Sequence, residues 1–220
     1  MTPQEQQIRD HFIARRGYWR PWVEALLKTR PDFVQAYADY AGEAVAQGPL
    51  TPRMVELIYV ALDASATHLY ANGLRTHVDL ALKAGATEAD LMDVFALLSA
   101  QGLECVRAGA DILAEELGVA TSGDGLAALS PAYARTLRDF EQALERPRGL
   151  KPVERAIIRT ALFACFTGFQ ENGLRRAIRQ ALDLGAARGE LLQAIQLGGH
   201  LSVHGTAMGA QLFTSATPET

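Results

Sequence analysis

Residues 67–91 read THLYANGLRTHVDLALKAGATEADL, and residues 167–191 read TGFQENGLRRAIRQALDLGAARGEL. The two stretches carry the same punctuation. Asn72-Gly73-Leu74-Arg75 answers Asn172-Gly173-Leu174-Arg175, and Gly85-Ala86 answers Gly185-Ala186. Upstream, Leu50 and Pro52 answer Leu150 and Pro152, and Pro31 and Phe33 answer Pro131 and Tyr133, always 100 residues apart. Coincidence does not hold such a register without gaps, so the chain reads as a tandem duplication. The period is too long for a solenoid of short repeats. The two copies differ in chemistry, because Gly168, Gln170 and Ala177 stand where the first copy has His68, Tyr70 and His77.

The punctuation within each copy is helical. A run over residues 32–47 spaces Phe33, Tyr37, Tyr40 and Val45 on one side and stops at Gly48. Thr51 before Pro52 is an N-cap followed by proline at the first helical position, opening a run with Val55, Ile58, Tyr59, Leu62 and Ala66 that is expected to last to Asn72-Gly73. Leu74, Val78, Ala81 and Leu82 continue to Gly85, placed where a helix C-terminus wants a left-handed residue. Thr87 to Asp90 resembles a capping box and starts a helix through Leu91, Val94, Phe95 and Leu98, with Gly102 expected to bend or divide it. No segment alternates like a strand, so the fold class is all-α.

Four parts follow: an N-terminal helical extension (1–29), a first repeat (30–117), a Gly/Ser/Thr/Ala-rich linker (118–129) and a second repeat (130–220). Gly17 and Pro21 divide residues 8–28 into two short helices, whose Phe12, Trp19 and Trp22 suit either gluing an extra helix onto the bundle or lining a pocket. With 220 residues, 49% of them hydrophobic and 21% charged, the chain can bury a sizeable core. A net charge of −4 leaves no broad basic face, so nucleic acid is not an expected partner. No apolar run approaches the roughly 18 residues of a membrane span, and the start lacks a signal-peptide pattern, so a cytoplasmic location is expected. Cys105 and Cys165 form no CxxC pair and read as buried free thiols.

Leu50-Thr-Pro-Arg53 at a helix start, followed by His77-Val-Asp-Leu-Ala-Leu-Lys-Ala-Gly-Ala-Thr-Glu-Ala-Asp-Leu91, resembles the carboxymuconolactone decarboxylase and alkylhydroperoxidase-D-like superfamily. The resemblance covers about residues 31–117 and 131–213. It implies a helical bundle assembling as trimers or hexamers, and either peroxide reduction by a cysteine pair or lactone decarboxylation by acid–base groups without a cofactor. The redox branch places its cysteines four and seven residues before the histidine, where this chain has Gly73 and Tyr70. Peroxide reduction needs an attacking and a resolving thiol, and neither is there.

What remains is an acid–base set. His77 matches the family histidine, and its near-neutral pKa class suits proton transfer, although a surface or core histidine is the plain alternative. His68 and Tyr70 are expected at the end of the preceding helix, facing His77 through the Asn72-Gly73 turn; the plain reading is polar helix-end surface and half-buried packing. Arg75 suits a substrate carboxylate, but its persistence as Arg175 also fits an i,i+4 pair with Asp79. Glu56 matches the family's helix glutamate. Glu104 occupies the position answered by His204, which stands one helical turn beyond His200, and these complete the substrate-binding candidates. Two histidines with no carboxylate in sequence range make a weak metal signal, so no metal and no cofactor are expected. The expected function is decarboxylation or isomerisation of a small lactone or carboxylated substrate, with His77, His68 and Tyr70 catalytic. The alternative is a non-catalytic ligand-binding or assembly protein on the same fold. A homotrimer, a six-repeat pseudo-hexamer, is the expected assembly.

Overall fold

The computed structural model describes residues 1–46, 48–146 and 148–216. Among them are twelve α-helices and no strand. An N-terminal pair, α1 (Pro3–Arg16) and α2 (Pro21–Leu27), precedes α3 (Pro31–Ala46), α4 (Pro52–Ala64), α5 (Ala71–Lys83) and α6 (Glu88–Glu116). The short α7 (Gly125–Leu129) leads to α8 (Pro131–Leu144), α9 (Pro152–Ala164), α10 (Glu171–Asp183) and α11 (Arg188–Gly199). A 3-10 turn (His200–Ser202) then joins α11 to α12 (Val203–Ala216). Helix starts α3, α4 and α5 recur at α8, α9 and α10 with an offset of 100 residues.

The expected starts are built as written. Thr51 accepts from the Met54 amide, and Thr87 and Asp90 exchange side-chain-to-backbone bonds at 2.7 and 3.2 Å, satisfying amides that have no partner within the helix. Gly85 caps α5 at φ 94°, a conformation a side chain would oppose. The expected end of the third helix, Gln47, lies outside the described residues.

Helix α4 forms the centre because it is apolar on nearly all sides: Leu57, Ile58, Val60, Ala61 and Leu62 are fully buried. It packs against α9, α5, α6 and α11 in one core that takes residues from both halves. A second core joins α1, α2 and α3 to α12, with Phe12 and Val23 fully buried and Trp22 beside Tyr37. The halves also hold each other's loops. Gln193 in α11 accepts from the Leu50 amide at 2.8 Å and donates to Ala44 O at 2.9 Å. One hundred residues away, the Asp93 carboxylate in α6 accepts from the amides of Arg148, Gly149 and Leu150.

Several expectations are corrected. The helix from Pro52 ends at Ala64, not at Asn72-Gly73; residues 65–70 form an irregular connection, and Asn72 and Gly73 belong to the first turn of α5. Ser65, with side chain and amide both bonded to Leu62 O, turns the chain out of the helix before Ala66. Gly102 does not divide α6, which runs unbroken for 29 residues. The second half breaks instead, at His200–Ser202. Part of the linker is helical, because Asp124 caps α7 and Leu126 is buried there with Ala134 and Leu137. Cys165 is buried, but Cys105 is exposed.

Candidate active site

The connection of residues 65–70 aims the side chains that sequence spacing separates. Leu69, at φ 47°, is the one non-glycine residue among those described with a positive φ, and this local reversal lies between His68 and Tyr70. The amides of His68 and Leu69 both bond to Ser65 O, and the Tyr70 amide returns to Asp63 O at 2.9 Å. Two residues apart, His68 and Tyr70 thereby both reach the imidazole of His204 on α12. His68 Nε2 lies 2.7 Å from His204 Nδ1, and the Tyr70 ring stacks on His204 at 4.0 Å between centroids.

Beneath them lies Asp63, in the last turn of α4. Its side chain is 1% exposed, and neither carboxylate oxygen has a hydrogen-bond partner. Three imidazoles surround it: His68 Nε2 and His204 Nδ1 at 3.7 and 3.6 Å from Oδ1, and His77 Nε2 at 4.0 Å from Oδ2. Burial pushes the Asp63 carboxyl up to about 7, against the opposing pull of His77. The acid fits there only because residue 73 is glycine; a Cβ at Gly73 would stand 2.1 Å from Asp63 Oδ2. Burial, with His68 and His77 adding to it, lowers His204 to about 4, and burial alone lowers His68.

His77, on the second turn of α5, is held from the other side. Its Nδ1 lies 2.7 Å from Glu56 Oε2 in α4, and its ring stacks on Tyr59 at 4.6 Å. An ionised glutamate accepts only, so Nδ1 carries the proton and Nε2 keeps its lone pair. Tyr59, whose burial holds its phenol protonated well above its ordinary range, shares a hydrogen bond of 2.6 Å with His200 Nδ1. The His200 Nε2 atom is buried without a hydrogen-bond partner. Burial, reinforced by Arg16, lowers His200 to about 4.

These groups border a cavity of about 460 Å³ lined by Glu56, Tyr59, Tyr70, His77, His200 and His204, with Arg16, Tyr18, Arg20 and Trp22 from the N-terminal segment. That size suits a small molecule. Arg16 and Arg20 flank the Tyr18 ring, their guanidinium carbons 5.6 and 5.4 Å from its centroid, and neither forms a salt bridge among the described residues. The N-terminal aromatics thus do both things the sequence left open: Phe12 glues, while Tyr18 and Trp22 line the cavity.

Of the sequence candidates, His77, His68, Tyr70, Glu56 and His204 converge. Arg75 and Glu104 do not. Arg75 is exposed, does not line the cavity and makes no ion pair with Asp79 among the described residues. Glu104 pairs with Arg176 and borders a separate cleft of about 600 Å³ in the second half. That cleft is the counterpart of the first, with Arg159 at the position answering Tyr59, Phe163 for Asp63, Ala177 for His77 and Glu104 for His204. The proton-transfer set is not confined to the first half either, since His200 and His204 come from the second. Sequence reading missed Asp63, Tyr59, Arg16 and Arg20. Asp63 alone left a signal: it is an acid closing an apolar run where the other copy has Phe163.

With this geometry in hand, comparison with known proteins is specific. Residues 31–115 match the carboxymuconolactone decarboxylase family. A crystal structure from Burkholderia xenovorans LB400, provisionally assigned as a gamma-carboxymuconolactone decarboxylase subunit, superposes with a TM-score of 0.84 and 27% sequence identity, over 98% of this chain and 98% of that one. No curated protein matches the chain.

Proposed function

We propose that this chain, a member of the carboxymuconolactone decarboxylase and alkylhydroperoxidase-D-like superfamily, catalyses acid–base chemistry on a small carboxylated or lactone substrate. The observation that carries the reading is the Glu56–His77 pair at the cavity wall. Glu56 fixes the Nδ1–H tautomer and stabilises the imidazolium that forms when Nε2 takes a proton. The guanidinium groups of Arg16 and Arg20, in no salt bridge among the described residues, supply the complementary anion site, so a substrate carboxylate docks at the N-terminal wall.

For an isomerisation, Nε2 removes a proton alpha to the carbonyl, the C–H electron pair becomes the enolate, and the imidazolium returns the proton to another carbon. For a decarboxylation, His77 Nε2 first takes a proton from solvent; the carbon–carboxylate bond breaks, its electron pair passes into the enolate, carbon dioxide leaves, and the imidazolium gives that proton to the carbon and returns to neutral imidazole. Tyr70 is the donor along the wall for the developing oxyanion. Peroxide reduction is disfavoured, because Tyr70 and Gly73 occupy the cysteine positions.

The Burkholderia relative is named as a subunit, and this chain exposes Leu69, Phe166 and Phe169. Both support a homotrimer in which three tandem repeats form a six-membered ring. Light scattering that gives a monomer at micromolar concentration overturns the trimer. The catalytic reading is tested by screening small lactones and beta-keto acids with the wild-type chain and His77→Asn. Turnover that His77→Asn abolishes, without loss of thermal stability, is expected. Turnover unaffected by His77→Asn overturns the role of His77, and binding without turnover favours a ligand-binding protein.

A further inference from the structure

Asp63, His68 and His204 belong to three different segments: the end of α4, the following connection and α12. Their facing atoms form a triangle with sides of 2.7, 3.6 and 3.7 Å. The point equidistant from three atoms so placed lies about 2.0 Å from each, within the range for a transition metal bound to imidazole nitrogen and carboxylate oxygen. All three ligand atoms lie within 4.8 Å of one another.

A second observation points the same way. A carboxylate withdrawn from water with no hydrogen bond to either oxygen is costly, and proteins seldom keep one without a counter-ion or a bound cation. Around Asp63 the three imidazole nitrogens lie at 3.6 to 4.0 Å, outside hydrogen-bond reach of it. His68 and His204 instead face each other nitrogen to nitrogen, so only one of the two can carry a proton on its facing atom. A cation between them satisfies the carboxylate and both lone pairs, each histidine then holding its proton on the other ring nitrogen.

We propose that Asp63 Oδ1, His68 Nε2 and His204 Nδ1 bind one divalent transition-metal ion, of the zinc or ferrous class. Two histidines and one carboxylate leave coordination positions open, and one of the three ligand residues, His204, lines the cavity. The ion rests on the catalytic reading above and deepens it: it is placed to polarise a substrate carbonyl while His77 moves the proton. Gly73 is part of the site, since it lines the cavity and its bare Cα leaves the room that Asp63 Oδ2 occupies behind it. His77 remains outside the metal shell, tied to Glu56. The proposal departs from the metal-free expectation of the sequence, which had no way to bring Asp63 beside two histidines.

The test is titration of the full chain, stripped with a chelator, using Co²⁺ followed by its visible absorption and Zn²⁺ followed by calorimetry. One ion per chain is expected. Asp63→Asn, His68→Gln and His204→Gln, each with a wild-type circular dichroism spectrum, should weaken binding by about 100-fold or more, and His77→Asn by less than about threefold. If one variant fails to fold, His68→Gln in the surface connection keeps the test decisive. No binding by the wild type at millimolar metal overturns the proposal, as does undiminished binding by these variants. If the chain binds no metal yet its turnover depends on His77, the metal site falls and the catalytic reading stands. If it binds metal at these residues but turns over nothing, the metal site stands without it.

Discussion

His68, in the connection after α4, lies 2.7 Å from His204 on α12, so one cluster is assembled from both halves of the chain. The exchange is reciprocal, since the second cleft is bordered by Glu104 and Arg107 from α6 of the first half. Thr67 Oγ1 and Thr167 Oγ1, equivalent positions 3.3 Å apart, mark where the two halves meet. Because the two histidines act through one contact, their substitutions should not add. His68→Gln and His204→Gln are each expected to cut kcat/KM by about 100-fold, and the double variant little further, since residues in one network couple by up to about 3 kcal/mol. Full additivity in this double-mutant cycle would show that the two act independently.

Among the described residues, Glu56 touches His77 but no other ionisable group at hydrogen-bond distance. Glu56→Gln retains the size and can still accept the Nδ1–H, but removes the charge that stabilises the imidazolium. The expected result is a loss of kcat of about 10- to 100-fold with KM nearly unchanged, because the charge matters most when His77 is protonated in the transition state. A change in KM alone would place Glu56 in substrate binding.

The helices were legible because their caps are local: Thr51 with Pro52, Thr87 with Asp90 and Gly85 each sit within a few residues of the partner they serve. Half of the site was equally legible, since His77 and Glu56 are separated by little more than one connection. The rest was not, because it depends on tertiary placement. Ser65 ended the expected helix early, and the left-handed Leu69 then turned His68 and Tyr70 toward one target; nothing in the residue type leucine announces that backbone. Arg16 and Arg20 belong to a segment whose aromatic content advertised packing, and only the docking of α1 and α2 against α3 and α12 brings them to the cavity. Arg75 carried the right chemistry at the wrong angle, on the exposed face of α5.

On the proposed reading, Arg16 and Arg20 bind the carboxylate of the substrate. Arg20→Leu is the cleaner variant, because Arg20 is exposed and its loss leaves the core untouched. It should raise KM for a carboxylated substrate about 10-fold or more with little change in kcat, and leave KM for a neutral lactone unaffected. Equal effects on charged and neutral substrates would argue against carboxylate recognition.

Gly73→Ala should disable the site while sparing the fold. The added methyl meets Asp63 Oδ2 at 2.1 Å and must displace the carboxylate or the start of α5. A stability loss of about 1–3 kcal/mol is expected, as for other overpacked positions, together with turnover reduced by at least about 100-fold. Gly102→Ala is the control, since a Cβ added there meets nothing within 4 Å. A Gly73→Ala chain as active as wild type would show that turnover does not depend on the position of Asp63.

The Tyr59–His200 pair makes stability depend on pH with a definite sign. His200 is faced by Tyr59 from α4, Tyr40 from α3 and Arg16 from α1, and none of these is an anion at neutral pH. Burial first, and Arg16 second, hold its folded pKa near 4, against about 6.5 when unfolded. Between those values the unfolded chain takes up a proton that the folded chain refuses, so stability present above pH 6.5 is lost as pH falls toward 4. The loss attributable to His200 is on the order of 3 kcal/mol. His204 adds in the same direction, so the residue-specific share is read from a variant. His200→Gln can still accept from Tyr59 and cannot titrate, and its melting temperature should fall less steeply from about pH 7 to about pH 4.5 than that of the wild type. Parallel curves for the two proteins would show that His200 takes up its proton as readily folded as unfolded.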